Sequence, residues 1–224
     1  MSSNGKGREA LLQLDDVGLV YQGSHGPQRV LQHISLSLDE GQHLTVVGPS
    51  GCGKSSLLRL IAGLQAPTEG QIRFAGQKMT GPRPDLAIVF QDYGLFPWKT
   101  VEENIRLPGQ LHHHSLNKDQ LEKLLQSLDL TAVRKHYPGE LSGGQKQRTA
   151  LGRAMAMQPK LLLMDEPFSA LDPAMRHQCY DLFRKYIGTS SMATIIVTHS
   201  PEEAAALGDK TVVFAKTGGV RSEE

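Results

Sequence analysis

The apolar and polar positions along the chain alternate between short β-branched runs and longer segments with helical spacing. Residues 43–47, 161–166 and 195–199 are short runs rich in valine, leucine and isoleucine, which is typical of buried strands. Residues 56–62 follow the first run and predict a helix that Gly63 ends. The remaining predicted strands are 11–21 and 30–38, which we expect to form an antiparallel edge region, and then 71–74 and 86–90.

The segment between these strands, residues 92–157, is predicted to be mostly helical. Breaks are expected near Pro108 and Pro138, because proline lacks the backbone N–H that a helix interior needs. We therefore predict one α/β domain over residues 11–215, into which this helical subdomain is inserted. Residues 1–10 are expected to be a flexible N-terminus, and residues 216–224 a short C-terminal tail.

Residues 48–55 form a glycine-rich loop between the predicted strand 43–47 and the helix 56–62. Their sequence, GPSGCGKS, matches the phosphate-binding pattern G-x-x-x-x-G-K-[ST] at every position. Lys54 is placed to reach the β- and γ-phosphates, and the Ser55 hydroxyl to ligate Mg²⁺. The alternative is a glycine-rich turn with an exposed lysine, but the strand and helix on either side favour a phosphate site. The residues expected to bind nucleotide here are Gly48, Pro49, Ser50, Gly51, Cys52, Gly53, Lys54, Ser55 and Ser56.

Residues 141–145, LSGGQ, predict a helix start that can bind an anion. Ser142 is expected to cap the helix, and Gln145 three residues later completes a capping box. Gly143 and Gly144 leave the first backbone N–H groups uncovered by side chains. Because a helix start is also the positive end of its dipole, these four residues are expected to contact nucleotide. The alternative is an ordinary capped helix.

The strand predicted over residues 161–166 ends in two acidic side chains. Carboxylates at the carboxyl end of a parallel strand face the ligand crevice of the sheet. Asp165 is expected to hold Mg²⁺, through water, and Glu166 to act as general base on the attacking water. The alternative is a strand end with two solvated acids. His199 lies at the tip of the strand 195–199 in the same way.

Composition narrows the possible classes of protein. The 224 residues can bury a sizeable core, and 24 lysines and arginines balance 23 acidic residues, which argues against a nucleic-acid partner. Cys52 and Cys179 have neither metal nor disulfide spacing, which favours a reducing compartment. The chain contains no signal-peptide pattern and no apolar run near the ~20 residues of a membrane helix. Any membrane role is therefore expected to need a partner protein.

The phosphate loop, the LSGGQ sequence and the acidic strand end together resemble the ATP-binding cassette (ABC) family of transporter ATPases. The resemblance covers residues 11–215 and includes PFSALD at 167–172, which matches the family's D-loop. It implies an α/β P-loop NTPase fold: a RecA-like parallel sheet, an N-terminal antiparallel β region and an inserted helical subdomain. It also implies ATP and Mg²⁺ as cofactors. A second nucleotide-binding subunit is expected to face the first head to tail, with each ATP between the phosphate loop of one copy and residues 142–144 of the other.

The resemblance also gives roles to single residues. Tyr21 is implied to stack on adenine, although the alternative is an ordinary strand tyrosine. Gln91 is implied to touch Mg²⁺ or the attacking water, and Asp172 to lie in the D-loop beside the nucleotide. His199 is implied to contact the γ-phosphate, where an imidazole donor stabilises developing charge; the alternative is an incidental histidine. The expected catalytic residues are thus Lys54, Gln91, Glu166 and His199, and the expected metal ligands are Ser55, Gln91 and Asp165.

Residues 91–98, QDYGLFPW, combine large apolar side chains with a glycine and a proline, which makes a poor helix. These side chains could simply fill the helical subdomain. The resemblance instead implies an apolar groove that receives a helix of a membrane permease subunit. The sequences at residues 80–85 and 95–98 are similar to those of nitrate, sulfonate and taurine importer ATPases.

This finer resemblance implies that ATP hydrolysis powers solute import through a permease, with a solute-binding protein in the complex. The chain would then be peripheral, on the cytoplasmic face of the inner membrane. An ATPase of an export or mechanotransmission system is the alternative, and the sequence does not identify the transported solute.

Overall fold

The computed structural model describes residues 10–23, 26–112, 116–169, 171–188, 190–216 and 218–223. Most of the N-terminal segment expected to be flexible, residues 1–9, lies outside this part of the chain. The described strands are β1 (Leu12–Gly23), β2 (Gly26–Leu38), β3 (His43–Val47), β4 (Glu69–Phe74), β5 (Gln77–Lys78), β6 (Leu86–Val89), β7 (Leu161–Asp165), β8 (Ala193–Thr198), β9 (Lys210–Phe214) and β10 (Val220–Glu223). The described α-helices are α1 (Lys54–Ile61), α2 (Val101–His112), α3 (Lys118–Ser127), α4 (Gly143–Met155), α5 (Pro173–Ile187) and α6 (Pro201–Leu207).

A six-stranded sheet with the order β10-β9-β3-β8-β7-β6 forms the centre of the fold. Strands β9, β3, β8, β7 and β6 are parallel, whereas β10 pairs antiparallel with β9. Every residue of β8 is buried, as expected for a strand covered on both faces. Because the parallel strands point the same way, the segments that follow β3, β7 and β8 meet at one edge of the sheet.

A second sheet with the order β2-β1-β4-β5 is antiparallel throughout. The apolar face of β1 is buried in one hydrophobic cluster with helix α1 and the strands β3 and β8, so the two sheets share a core. The α/β architecture predicted from the sequence is therefore confirmed. The predicted tail differs at its end, because Val220–Glu223 forms β10 and extends the central sheet.

The helical subdomain contains α2, α3 and α4, but residues 92–100 before α2 form turns rather than helix. The break expected at Pro108 is wrong, because α2 continues through this residue. A proline in a helix interior costs roughly 3 kcal/mol. Burial of Val101 and Ile105 in the core on the preceding turns offsets this cost. Pro138 does interrupt the helices, at the short 3₁₀ turn Pro138–Glu140.

Close contact between helices explains the glycine inside α4. A Cβ at Gly152 would lie 2.8 Å from a terminal methyl of Leu128 and 3.1 Å from that of Ile105. Both neighbours are fully buried, so the methyl groups have little room to move. Glycine has a low helix propensity, but at this position it allows α4 to pack tightly on α2. Among the described residues, no helix is both long and apolar enough to cross a membrane.

Candidate nucleotide site

The glycine-rich loop turns directly from β3 into α1. Gly53, which precedes the helix, has φ +100°, in the left-handed region that favours glycine. A Cβ at Gly53 would also lie 2.7 Å from a Leu31 methyl and 2.9 Å from the Val30 carbonyl oxygen. Both the backbone and the packing therefore require glycine at this position. Because no side chain of the described residues caps α1, its first N–H groups are left for a ligand such as phosphate.

Lys54 lies on the inner side of this loop and is only 5% exposed. Its ammonium donates hydrogen bonds to the carbonyl oxygens of Gly48, at 2.8 Å, and Pro49, at 3.1 Å. The alternative of a turn with an exposed lysine is therefore wrong. Pro49, Ser50 and Gly51 are exposed, so the outer rim of the loop is open to a ligand from solvent.

A hydroxyl and a carboxylate meet where α1 begins and β7 ends. The Ser55 hydroxyl donates to Asp165 Oδ1 at 3.1 Å. Burial raises the pKa of the Asp165 carboxyl, and the hydrogen bond from Ser55 partly opposes this shift. A cation beside Asp165 would offset the free-energy cost of burying its ionised carboxylate. Mg²⁺ usually takes oxygen ligands from one or two side chains together with phosphate oxygens, so this pair fits the predicted metal site.

Glu166 and His199 form a second pair at the same edge of the sheet. The imidazole Nδ1 lies 3.3 Å from Glu166 Oε2, with side-chain exposures of 59% for His199 and 19% for Glu166. Glu166 has φ +45°, an unfavourable conformation for a residue with a side chain. Its backbone N–H donates to the Val197 carbonyl at 2.9 Å, which holds this conformation. Strain of this kind is often found where a side chain must be aimed at a reaction centre.

The start of α4 has the capping box predicted from the sequence. The Ser142 hydroxyl accepts from the Gln145 N–H at 3.3 Å, and the Gln145 side chain accepts from the Ser142 N–H at 2.9 Å. Ser142 is exposed, whereas Gly144 is buried against α5, where an added Cβ would lie 2.5 Å from the Met175 sulfur. Asp172 caps the start of α5 by accepting from the Met175 N–H at 3.0 Å. Two capped helix starts thus lie side by side.

Three predicted residues lie further out on the surface. The Tyr21 hydroxyl donates to Gln65 Oε1 at 2.9 Å, and the tyrosine is 36% exposed, which leaves part of its ring accessible. Gln91 is exposed just beyond the end of β6. Trp98 is 69% exposed and makes an edge contact with Phe96, with 5.4 Å between ring centroids. The nucleotide contacts of Tyr21 and Gln91 remain predictions.

The sequence reasoning missed one buried carboxylate beside the site. The sequence of residues 200–203, SPEE, has the serine and glutamate spacing of a capping box. Ser200 does cap α6, accepting from the Glu203 N–H at 3.2 Å. The Glu203 side chain instead turns inward and accepts from the Thr198 hydroxyl at 2.8 Å. The spacing indicated the cap but gave no sign of this inward contact.

The loop, the acidic pair and the histidine at the carboxyl edge of a parallel sheet define a P-loop nucleotide-binding protein. The sequence profile of the ABC transporter family matches residues 31–169. The chain belongs to this family, and it is an ABC-type ATPase subunit. It is also similar to a solved structure described as the dimeric, post-hydrolysis state of the ATP-binding cassette MJ0796 bound to ADP and Pi. That likeness has a TM-score of 0.83 and 30% identity, and covers 95% of this chain and 97% of that one.

Curated relatives include three import proteins. The nitrate import ATP-binding protein NrtC of Synechococcus elongatus is 40% identical over 91% of this chain, but the match spans only 32% of NrtC. The aliphatic sulfonates import protein SsuB of Bacillus licheniformis is 40% identical, over 85% of this chain and 75% of SsuB. The nitrate import protein NrtD of a Synechocystis strain is 38% identical, over 95% of this chain and 81% of NrtD. The chain thus spans about a third of NrtC and most of the two shorter relatives.

Proposed function

We propose that this ATPase subunit hydrolyses Mg-ATP and thereby powers a membrane permease that imports a small anionic solute. The observation that carries the ATPase part is the meeting of three sequence-distant segments at one sheet edge: the loop that ends in Lys54 and Ser55, the acidic pair Asp165 and Glu166, and His199. The solute class is taken from relatives whose names state nitrate, sulfonate or bicarbonate transport.

In this proposal each residue has a separate role in phosphoryl transfer. Mg²⁺ would bridge the phosphates and neutralise their charge, with Ser55, Asp165 and Gln91 as its protein ligands. Lys54 would pair with the β- and γ-phosphates. The Glu166 carboxylate would accept a proton from the attacking water.

His199 completes the catalytic group in this proposal. It would donate to the γ-phosphate, while its other contact, 3.3 Å from Glu166, keeps the ring oriented. An imidazole donor that is already held in place can stabilise the charge that develops on the phosphate without having to reorganise first.

A second copy would complete each site. Ser142 and Gly143 are exposed at the start of α4, where unpaired N–H groups and the positive end of the helix dipole can receive phosphate. Two copies related by a two-fold axis would place this helix start over the phosphate loop of the partner. The similarity to MJ0796, described as dimeric, supports this arrangement. ATP would close the dimer because it contacts both copies only in the closed state.

The permease would dock on the segment that runs from Gln91 to Trp98. The exposed Trp98 and its contact with Phe96 give this segment an aromatic surface next to Gln91 at the sheet edge. Aromatic side chains of this kind often carry much of the binding energy of an interface. The chain would then be peripheral on the cytoplasmic face of the cell membrane, and a solute-binding protein would deliver the solute to the permease.

Reconstitution in proteoliposomes tests this function. The chain is combined with a permease that co-purifies with it, with the solute-binding protein on the opposite side of the membrane. We expect ATP-dependent movement of nitrate, bicarbonate or an alkanesulfonate towards the side that carries the ATPase, and none with Lys54→Ala. Movement away from that side, or ATP hydrolysis with no solute movement, would instead support an export or mechanotransmission system.

A further inference from the structure

A buried carboxylate lies directly behind the histidine of the site. Glu203 belongs to the first turn of α6 and is 3% exposed, which is rare for a glutamate. Its Oε2 accepts from the Thr198 hydroxyl at 2.8 Å. Thr198 is the last residue of β8 and immediately precedes His199.

Hydrogen bonds close a ring around the backbone of His199. The Thr198 hydroxyl, which donates to Glu203, also accepts from the Ser200 N–H at 3.0 Å. The Ser200 hydroxyl accepts in turn from the Glu203 N–H at 3.2 Å. Thr198, before His199, is thus tied to the Glu203 carboxylate, and Ser200, after His199, is tied to the Thr198 hydroxyl and to the Glu203 backbone. The imidazole leaves this ring towards Glu166, 3.3 Å away.

This buried cluster is energetically costly. Glu203 Oε1, Arg176 Nε and the Tyr180 hydroxyl are buried without a hydrogen-bond partner among the described residues. Arg176 and Tyr180 lie on α5, and charge interactions couple both of them to Glu203. Burial raises the pKa of Glu203 to about 7, although Thr198, Arg176 and His199 act to lower it. An exposed carboxylate in a simple capping box would avoid these costs, so stability alone does not explain the inward orientation.

We propose that Glu203 is a positioning residue for ATP hydrolysis: through Thr198 it fixes the backbone around His199 and so holds the imidazole against Glu166. Glu203 itself does not touch the nucleotide. The proposal rests on the roles given above to His199 and Glu166. It deepens them by naming the group that keeps the histidine in place.

Steady-state hydrolysis of Mg-ATP by the purified chain tests this role. Loss of a buried hydrogen bond that orients a catalytic group typically costs about tenfold or more in rate. We expect Glu203→Ala to lower kcat by at least about tenfold with KM for ATP changed by less than about twofold. Glu203→Gln keeps an oxygen acceptor for Thr198 and should retain most of kcat. Thr198→Val should reproduce Glu203→Ala, and Thr198→Ser should behave as wild type.

A double-mutant cycle separates positioning from folding. In a His199→Ala background, Glu203→Ala should add less than about twofold, because the residue it positions is already gone. The matched control is Glu202→Ala, an exposed carboxylate on the same turn that lies 3.7 Å from His177. This control should leave kcat unchanged. Circular dichroism and thermal melting identify any variant that does not fold. If Glu203→Ala does not fold, Thr198→Val is used in its place.

The outcomes are distinguishable. If His199→Ala hydrolyses ATP as fast as wild type, the role proposed for His199 fails, and the role of Glu203 fails with it. If His199→Ala loses activity but folded Glu203→Ala keeps it, only the positioning role is overturned. A Glu203→Ala effect that is equally large with and without His199 would show a general structural role, and would also overturn the proposal.

Discussion

The Ser55 hydroxyl and the Asp165 carboxylate lie 3.1 Å apart although 110 residues separate them in the sequence. The first belongs to the phosphate loop and helix α1, and the second ends β7. Their contact brings together the two halves of the proposed magnesium site, which the sequence shows only as separate motifs. The same edge of the sheet carries Glu166 and His199, so binding and chemistry are expected at one place.

Replacing Glu166 by glutamine should separate ATP binding from hydrolysis. The amide keeps the size of the side chain but cannot accept the proton of the attacking water. We expect ATP to bind with near wild-type affinity, hydrolysis to fall by at least about 10²-fold, and a stable ATP-bound dimer to form. Light scattering with and without ATP measures the dimer. Turnover close to wild type would show that Glu166 is not the base.

Mixed dimers test whether each site needs both copies. Ser142→Arg adds bulk and charge at the start of α4, and Lys54→Ala removes the phosphate contact of the loop. A dimer with one copy of each variant has one interface that carries both changes and one that carries neither. Mixtures should therefore recover activity that neither variant has alone, as measured by ATP hydrolysis against mixing ratio. No recovery would contradict independent composite sites.

Cys52 should resist alkylation in the folded protein. A thiol in the phosphate loop close to Lys54 is equally compatible with a reactive thiolate and with a buried, inert side chain. In the structure Cys52 is 2% exposed, and its sulfur lies 2.9 Å from where a Cβ of Gly48 would be. We expect no maleimide labelling of Cys52 or of the buried Cys179 before denaturation, as read by mass spectrometry. Rapid labelling blocked by Mg-ATP would show instead that the loop opens.

Trp98→Ala should leave the isolated subunit stable. A tryptophan in the core would cost roughly 3–5 kcal/mol on truncation to alanine, but Trp98 is 69% exposed. We expect a melting temperature within ~2 °C of wild type and unchanged ATP binding. Co-purification with the permease should be lost. An unchanged complex would show that this surface does not dock the membrane subunit.

Glu203 should make stability fall as pH rises. Its pKa is about 7 in the folded chain against an ordinary 4.5, so the folded state holds the proton more tightly than the unfolded state does. The stabilisation is complete below about pH 4.5 and is lost as the pH rises through about 7. Over that range of about 2.5 pH units the loss amounts to about 3 to 4 kcal/mol.

Glu203→Gln stays neutral and should lack this pH dependence. Urea unfolding at pH 5 and pH 8 should show similar stabilities for wild type and variant at the lower pH. At the higher pH the variant should be more stable. Parallel pH profiles for the two proteins would show that Glu203 does not titrate in this range. Glu202→Gln, on the exposed side of the same turn, provides the control.

The local elements and the motifs could be predicted from the sequence because they depend on neighbouring residues. The apolar run at 43–47 forms β3 with the predicted bounds, and Ser142 and Gln145 form the predicted capping box. A capping box needs only residues three positions apart, and a buried strand needs only a continuous apolar run.

Other features depended on contacts between distant parts of the chain. Pro108 remains inside α2 because burial of Val101 and Ile105 offsets a local preference against proline. Trp98 is exposed and Cys52 is buried, although the sequence around each residue is compatible with either an exposed or a buried side chain. Glu203 turns inward because Thr198 offers a buried donor, and nothing in the spacing of residues 200–203 indicates this contact. Propensity and spacing describe a residue's neighbours along the chain, but burial and hydrogen bonding depend on which strands and helices the fold brings together.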